Sequence, residues 1–295
     1  MTVPRATIAS PVRIEGVGLF TGSATAVTIE PMDISSTEHN GTHHGIVFVY
    51  ERQTIPSVIA NLSTTPAHPA FAQLPPRNPS VERAGVVVHT TEHIHAALAG
   101  HGITAADERV EGGEIPIGDG SAELIVRPIT DAGLATLGDA DPIEPVRVRA
   151  PIRVERDGGS VTIEPSDRSE YTYRLDYGPD SPIPPGEAVW GGDADACVRT
   201  VAPARTFCLQ AEAETRVSLG LFEGLSPTDM LVFGPDGPID NKLRFPDEPA
   251  RHKLLDLIGD LALVGRPSCA RVIAERSGHA RNHEAAHRLV AAIES

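Results

Sequence analysis

The sequence predicts an α+β protein built from two regions of similar size and similar order of elements. Strand-like segments dominate the beginning of each half of the 295 residues, and helical patterns follow with further strands interleaved. Residues 137–151 carry repeated prolines, which indicates a connection between the halves. We therefore expect an N-terminal α+β domain over residues 1–140 and a C-terminal α+β domain over residues 148–295.

The pattern of apolar residues locates the elements of the first half. Alternation with a period of two and β-rich runs predict strands, and the helix that begins near Thr91 should end at Gly100 or Gly102. The predicted elements are strands at 24–29, 45–50 and 105–110, a helix at 91–99 and a second helix after Ser121. Residues 64–80, rich in Pro, Ala and Asn, predict an irregular excursion.

The second half shows the same kinds of pattern, although no clear sequence repeat relates it to the first. Its predicted elements are strands at 152–154, 160–164, 171–177 and 270–274 and helices at 209–219, 252–264 and 282–293. Aromatic residues make up only 4% of the chain, so Val, Ile, Leu and Ala must supply most of the core.

Composition and charge narrow the classes of function. The formal net charge of −15 disfavours non-specific nucleic-acid binding, because the chain repels phosphate backbones. Three scattered cysteines, Cys197, Cys208 and Cys269, argue against a disulfide framework and a cysteine-rich zinc module. The N-terminus lacks an apolar signal core, and no apolar run approaches the ~20 residues that span a bilayer. We expect a cytoplasmic protein without a transmembrane segment.

The most informative segment is the predicted helix that carries His252, Asp256 and Asp260. Their spacing of four places these side chains along one face, and Leu and Ile residues between them can anchor the helix in a core. An imidazole and a carboxylate at positions i and i+4 can bind one metal ion. Polar groups beside an apolar stripe are costly to bury unless they are paired or bound to a metal. The spacing therefore predicts half of a metal site.

Glu92 and His93, at the start of the first predicted helix, are candidates for the other half. His93 would complete a set of two histidines and one carboxylate, which leaves positions open for water and substrate as in catalytic zinc sites. The same set can hold ferrous iron in an oxygenase. Glu92 would be the base that takes a proton from water. The alternative is structural: Glu92 favours the helix N-terminus, and His93 lies on the surface.

Three further residues can bind negative charge, donate a hydrogen bond or transfer a proton. Lys253 can bind an anion or a developing oxyanion, and Thr206, after a strand-like segment, can donate a hydrogen bond to a carbonyl oxygen. His279 follows Gly278, which predicts that it projects from a loop. A position near Asp260 would keep its imidazole protonated, as a general acid requires. The alternatives are a solvated lysine, a strand threonine and an ordinary loop histidine.

Taken together, these segments strongly resemble the UDP-3-O-acyl-N-acetylglucosamine deacetylase family of lipid A biosynthesis. They occur in the family order and span nearly the whole chain, so their combination is specific although no single one is. The matching segments are residues 15–22, 91–100, 114–121, 204–207, 243–248, 251–261 and 277–279. The resemblance implies a zinc amidohydrolase of two similar α+β domains, each with a β-sheet layer against a helical layer, and with the active site between them.

The resemblance also implies roles by motif position. One zinc ion, with Fe²⁺ as the alternative, would be bound by His93, His252 and Asp256. The catalytic residues would be Glu92 (general base), His279 (general acid), Asp260 (orienting His279), Thr206 (polarising the carbonyl with zinc) and Lys253 (oxyanion or substrate phosphate). The substrate contacts would be Phe207 in the sugar pocket, Tyr177 under the uracil ring and Arg276.

Several residues depart from the family pattern in the shell that would recognise the substrate. Phe20 stands where the family usually has His, and Leu225 stands where it has Gly. Residues 157–160 contain no lysine of the kind that some members use near the diphosphate. The predicted helix that should help to form an acyl-chain tunnel carries Gln210 and Arg216, which makes it less apolar than a fatty-acid tunnel requires.

Four interpretations therefore stay open. The first is hydrolysis of the N-acetyl group of an acylated UDP-N-acetylglucosamine, with release of acetate. The second is a paralogous zinc deacetylase that acts on a different N-acetylated sugar or sugar nucleotide. A non-catalytic regulator on the same fold has less support, because the whole set of metal ligands, base and acid is retained. A ferrous oxygenase also has less support, because nothing else in the chain resembles one. We expect a monomer with a nucleotide-sugar substrate; peripheral contact with a membrane stays open.

Overall fold

The computed structural model describes residues 2–32, 45–71, 78–138, 142–219 and 230–294, and over these residues the fold is mixed α+β, which confirms the predicted class. The elements of the first half are β1 (Ala6–Ile8), β2 (Val12–Val17), β3 (Ala24–Pro31), β4 (Ile46–Tyr50), β5 (Gln53–Pro56), β6 (Ser80–Arg83), β7 (Val86–His89), α1 (Glu92–Gly100), β8 (Ala106–Glu111), α2 (Glu123–Ala132) and β9 (Leu134–Thr136). Short 3₁₀ turns lie at Ile59–Asn61 and Pro69–Phe71.

The second half contains the longest helices. Its elements are β10 (Val146–Arg147), β11 (Ile152–Arg156), β12 (Gly159–Pro165), β13 (Glu170–Leu175), β14 (Gly186–Trp190), α3 (Ala194–Ala196), β15 (Phe207–Leu209), α4 (Gln210–Ser218), β16 (Leu231–Gly234), β17 (Gly237–Pro238), α5 (Glu248–Ala262), β18 (Ser268–Glu275) and α6 (His279–Glu294). A π-helical turn, Cys197–Val201, continues α3.

Two sheets with the same strand order form the framework. The first has the order β2-β3-β8-β4-β5 and the second β11-β12-β18-β13-β14, with β10 also paired to β18. In both, the central strand is antiparallel to one neighbour and parallel to the other. A helix precedes each central strand, α1 before β8 and α5 before β18. This shared connectivity is a structural repeat without a sequence repeat. The domain boundaries at residues 1–140 and 148–295 stay a prediction.

The helices α1 and α5 pack against each other. Both are buried on nearly all sides, as expected for helices that belong to the interior of a fold. Gly259 permits their close approach, because a Cβ at this position would collide with the backbone carbonyl of Glu92. Pro249 lies in the first turn of α5, where its missing N–H removes no helical hydrogen bond. The packing brings the two predicted halves of the metal site together.

The structure corrects three local predictions. The helix α5 begins at Glu248, so His252 lies in its second turn, because the acidic residue and the proline after it favour an earlier start. His279 is the first residue of α6 and not a loop residue, because the turn after β18 ends at Gly278 and the helix follows directly. The segment before Thr206 is not a strand, because α3 and its π-helical turn occupy it and bury Cys197 and Val201.

Some predictions fall outside the described residues. They concern residues 37–44, a polar segment with His39, His43 and His44 for which the sequence favours a solvated loop over a second metal site, and the replacement at Leu225. No helix in the described part of the chain is long and apolar enough to cross a bilayer.

Candidate metal centre and active site

His93 from α1 and His252 and Asp256 from α5 form one buried cluster. Their ligand atoms all lie within 4.8 Å of one another, and each residue is at most 4% exposed. The His252 Nδ1 lies 3.1 Å from the carbonyl oxygen of Ala204, to which its N–H can donate. This contact leaves Nε2 available, 3.4 Å from Asp256 Oδ1. The structure therefore brings together the three residues that the sequence nominates as metal ligands.

The protonation states in this cluster suit a divalent cation. Burial lowers the pKa of His93 to about 3 and also lowers the pKa of His252, so both imidazoles are neutral. Burial acts to raise the pKa of Asp256, but the charge of Lys253, with a contribution from His279, outweighs it and holds that pKa below its usual range. The Lys253 Nζ lies 2.6 Å from Asp256 Oδ2. Two neutral imidazoles and one carboxylate are a donor set that fits a catalytic metal.

Glu92, next to His93 at the start of α1, is a buried carboxyl group that lines the same cavity as the cluster. Its Oε2 has no hydrogen-bond partner among the described residues, and burial raises its pKa to about 8. His95, the other histidine of the motif, contacts Ser57 instead, with 2.5 Å between Nε2 and Oγ. Only His93 of the two therefore belongs to the cluster.

His279, in the first turn of α6, is held by a buried carboxylate. Its Nδ1 lies 2.9 Å from Oδ2 of the fully buried Asp260, and its Nε2 lies 3.9 Å from Oδ2 of Asp256. Burial acts to lower the pKa of His279, but Asp260 and then Asp256 outweigh it and the pKa rises to about 9. The imidazole is therefore protonated at neutral pH, with Nδ1 committed to Asp260 and Nε2 on the side of the cluster.

Asp260 is itself held by two residues that the sequence analysis missed. Asn282 Nδ2 donates to its Oδ2 at 2.8 Å, and His283 Nε2 lies 3.0 Å from its Oδ1. Asp260, His279 and His283 also lie close enough to hold a metal ion, but these hydrogen bonds already occupy both oxygens of Asp260. The i, i+4 spacing of His279 and His283 was the available signal. It went unused because the predicted helix began at residue 282.

Thr206 is positioned by a buried ion pair one residue earlier. The Arg205 Nε lies 2.8 Å from Glu248 Oε1, and the Arg205 backbone N–H donates to the same oxygen. Both side chains are almost fully buried. The Thr206 N–H donates to the carbonyl of Gly120 at 2.7 Å, which ties the strand β15 to the loop before α2. Residues from both halves of the chain therefore fix Thr206 beside the cluster.

A cavity of about 860 Å³ adjoins the cluster. Its lining contains most of the site residues expected from the sequence: Glu92, His93, Tyr177, Thr206, Phe207, His252, Lys253, Asp256 and His279. Asp260 lies behind His279, whereas Arg276 is exposed and outside the lining. The Phe207 ring lies 6.2 Å from the His252 ring and 6.5 Å from the Tyr177 ring, between centroids.

Part of this cavity is apolar and depends on Glu114. The apolar lining includes Leu19, Phe20, Ile117, Cys208, Leu209 and Met230. The Glu114 carboxylate accepts hydrogen bonds from the backbone N–H groups of Phe20 and Thr21 and from the Thr90 hydroxyl, which fixes the turn that carries Phe20. Of the polar residues noted in the predicted tunnel helix, Arg216 lines the cavity with Glu212, whereas Gln210 does not.

The profile of the family described as UDP-3-O-acyl N-acetylglycosamine deacetylase matches residues 5–291 of this chain. The chain belongs to this family. A UDP-3-O-acyl-N-acetylglucosamine deacetylase of Chlamydia pneumoniae is 34% identical over 289 residues, covering 98% of this chain and 97% of that protein. A protein of the same name from Trichormus variabilis is 33% identical, and the match covers 97% of this chain and 98% of that protein. One from Chlamydia trachomatis is also 33% identical, and the match covers 98% of this chain and 95% of that protein.

Membership of the family confirms the resemblance seen in the sequence and the assignment to the deacetylase class of hydrolases. The deacetylases of this family are metalloenzymes, and the cluster of His93, His252 and Asp256 supplies a donor set that fits their metal. The structure adds the side chains that surround this set, namely a buried carboxyl group, an imidazole held by a carboxylate and an ammonium group.

Proposed function

We propose that this deacetylase hydrolyses the N-acetyl group of UDP-3-O-acyl-N-acetylglucosamine, releasing acetate and leaving a free amine on the sugar, as a step of lipid A biosynthesis. The observation that carries the proposal is the cluster of His93, His252 and Asp256, with Glu92 and His279 on the same cavity. Relatives that bear this name cover nearly the whole chain. The cavity has an apolar part for an acyl chain and a polar part for a nucleotide sugar.

The proposed cofactor is one Zn²⁺ held by His93, His252 and Asp256, and Fe²⁺ would satisfy the same donors. The ion would supply Lewis-acid polarisation of the amide carbonyl and would acidify water. Thr206 would donate a hydrogen bond to the same carbonyl oxygen. Lys253 contributes an ammonium group next to the cluster, and it would stabilise the negative charge that develops on that oxygen.

Two side chains would move the protons of the reaction. Glu92 would take the proton of the attacking water, because its Oε2 is free of other partners in the described structure and the positive charge of the bound ion would favour its ionised form. His279 would give a proton from Nε2 to the departing amine, because its Nδ1 is committed to Asp260. Protonation is needed because an unprotonated sugar amide nitrogen is a poor leaving group. Asp260 would hold the imidazole in the donating orientation.

Three aromatic and basic residues are proposed to contact the substrate. Tyr177 is 51% exposed at the cavity, so its ring is available to lie under the uracil base. Phe207, between Tyr177 and His252, would line the sugar pocket. Arg276 would have to reach the substrate from outside the lining.

Release of acetate by the zinc-loaded protein tests this function. We expect acetate from acylated UDP-N-acetylglucosamine, and a rate lower by on the order of 100-fold for non-acylated UDP-N-acetylglucosamine, because the buried acyl chain contributes binding energy to the transition state. Removal of the metal with a chelator should stop the reaction, and zinc should restore it. Equal rates on both substrates would indicate a different N-acetylated sugar. Absence of acetate from either would overturn the proposal.

A cytoplasmic location and a monomeric state stay predictions from the sequence. Peripheral contact with a membrane stays an open question. Sedimentation of the purified protein with and without vesicles would test the last two.

A further inference from the structure

Arg281, in the first turn of α6, presents a fixed positive charge to the cavity. Its Nε donates to the carbonyl oxygen of Arg156 at 3.0 Å, and its Nη1 donates to the carbonyl oxygen of Arg276 at 3.1 Å. Carbonyl oxygens carry only partial negative charge, so these contacts orient the guanidinium without neutralising it. The hydrogen bonds described for Arg281 use two of its five N–H donors, and the others stay available.

The other basic residues of the described lining are paired with carboxylates. Lys253 contacts Asp256, and Arg216 lies 3.7 Å from Glu212. Arg156 lies 3.4 Å from Asp157, and both of these side chains are more than half exposed, so solvent screens the pair. Arg281, half-buried and held by backbone carbonyls, is therefore the strongest uncompensated cation among the described residues of this cavity.

The backbone near Arg281 is built for this placement. Gly159 lies at the start of β12, where only glycine fits. A Cβ there would lie 2.9 Å from the Arg281 Cζ and would collide with the Arg276 carbonyl. The turn between β11 and β12 therefore fits closely under the guanidinium. Because the side chain is ordered by folding, little of its conformational freedom would be lost when it binds an anion.

The chemistry of the substrate places an anion at this point. In a UDP-N-acetylglucosamine derivative the acetamide is on C2 and the diphosphate is attached at the neighbouring C1. An acetamide beside His279 therefore requires the diphosphate to lie close by, and Arg281 follows His279 by two residues on the same helical turn. The chain as a whole has a net charge of −15, so binding a diphosphate requires a local cation.

We propose that Arg281, with Arg156 beside it, binds the diphosphate of the nucleotide-sugar substrate. The inference rests on the proposed function, because it takes the substrate class from there. Guanidinium groups match the paired oxygens of phosphates better than ammonium groups do.

Calorimetric titration of the zinc-loaded protein with UDP and with uridine tests this assignment. The ratio of the two affinities isolates the contribution of the diphosphate. We expect Arg281→Gln to lower this ratio by about tenfold or more, because the charge-assisted hydrogen bonds from the guanidinium to the phosphate oxygens are lost. Arg156→Gln should lower it less. An unchanged ratio in Arg281→Gln would overturn the proposal, as would a wild-type protein that binds UDP no more tightly than uridine.

Arg288→Gln is the matched control. Arg288 also lies on α6 and also donates to a backbone carbonyl, that of Arg153, at 2.8 Å, but it is outside the lining of the cavity. Its substitution should leave the affinity ratio unchanged. If Arg281→Gln does not fold, Arg281→Met serves in its place, with the thermal midpoint recorded for each variant. Because binding is read without turnover, a protein that binds UDP through Arg281 but releases no acetate would contradict the proposed function and not this assignment.

Discussion

Two buried glutamates, Glu92 and Glu108, have carboxyl oxygens without a hydrogen-bond partner in the described structure, but their surroundings differ. Glu92 lines the cavity next to His93, whereas Glu108 lies in the middle of the first sheet, between Ile29 of β3 and Phe48 of β4. Burial raises the pKa of both groups. A cavity and the proposed metal ligands adjoin the carboxyl group of Glu92 and not that of Glu108, so only Glu92 is proposed to act in the reaction.

The second sheet provides a comparison for Glu108, because the central strand in it has no charged residue on the buried face. Its central strand, β18, directs Ala270, Val272 and Ala274 into the core. The equivalent strand β8 buries Ala106 and Val110 on either side of Glu108. The inner face of β18 therefore carries only apolar core residues, whereas that of β8 includes a carboxyl group that has no hydrogen-bond partner among the described residues. Glu108 should lower the stability of the protein without serving the reaction.

Replacing the glutamate at the cavity should have the largest effect. Glu92→Gln keeps the size of the side chain but cannot accept the proton of water, so we expect kcat to fall by about 10²–10⁴-fold. The zinc content, measured by atomic emission, should stay at the wild-type level because Glu92 is not among the proposed ligands. Turnover within threefold of wild type would remove Glu92 from the proton transfer.

Asp260, a buried carboxylate that has hydrogen-bond partners, provides the comparison with the two unpartnered glutamates. Asp260→Asn removes the charge that holds His279 and leaves the donors of Asn282 and His283 without a carboxylate. We expect kcat to fall by about 10²-fold and the free energy of unfolding to fall by about 1–3 kcal/mol. Kinetics and chemical denaturation would measure the two changes. Asp167→Asn, at a fully exposed position, is the control and should change neither.

Replacing Glu108 in the sheet should have a smaller effect, which is an increase in the stability of the fold without a change in turnover. The pKa of Glu108 is raised in the folded protein above its ordinary 4.5, so the native state binds a proton that the unfolded state releases. Stability is therefore retained below pH 4.5 and lost as the pH rises toward the folded-state pKa. Glu108→Gln cannot ionise, so its gain in stability over wild type should be absent at pH 4 and should grow steadily as the pH rises.

Thermal midpoints at several pH values between 5 and 8 would measure this effect. Glu111→Gln is the control on the same strand, because its side chain is exposed and paired with Arg13. We expect its pH profile to run parallel to that of the wild type, and acetate release by Glu108→Gln to be unchanged. Parallel profiles for Glu108→Gln and the wild type would show that Glu108 ionises normally.

The sequence predicted the elements of the site better than their contacts. The spacing of His252 and Asp256 is a local property of a helix, so it was readable from the chain. The start of α6 at His279 could not be predicted, because residues 279–281 carry no apolar period. The contact of His283 with Asp260 was therefore missed as well. Glu108 gave no signal because a charge in an alternating strand is ordinarily solvated, and only the pairing of β8 with β3 and β4 buries it.

The crossing of α1 and α5 at Gly259 has a consequence for assembly of the protein. His93 and His252 are 159 positions apart in the chain, so an ion held by both would link two segments that are distant in sequence. The complete ligand set exists only when α1 and α5 are packed together, and tight metal binding would therefore indicate that the protein has folded. Loss of the ion should loosen the contact between α1 and α5 first, while each sheet keeps its own hydrogen bonds.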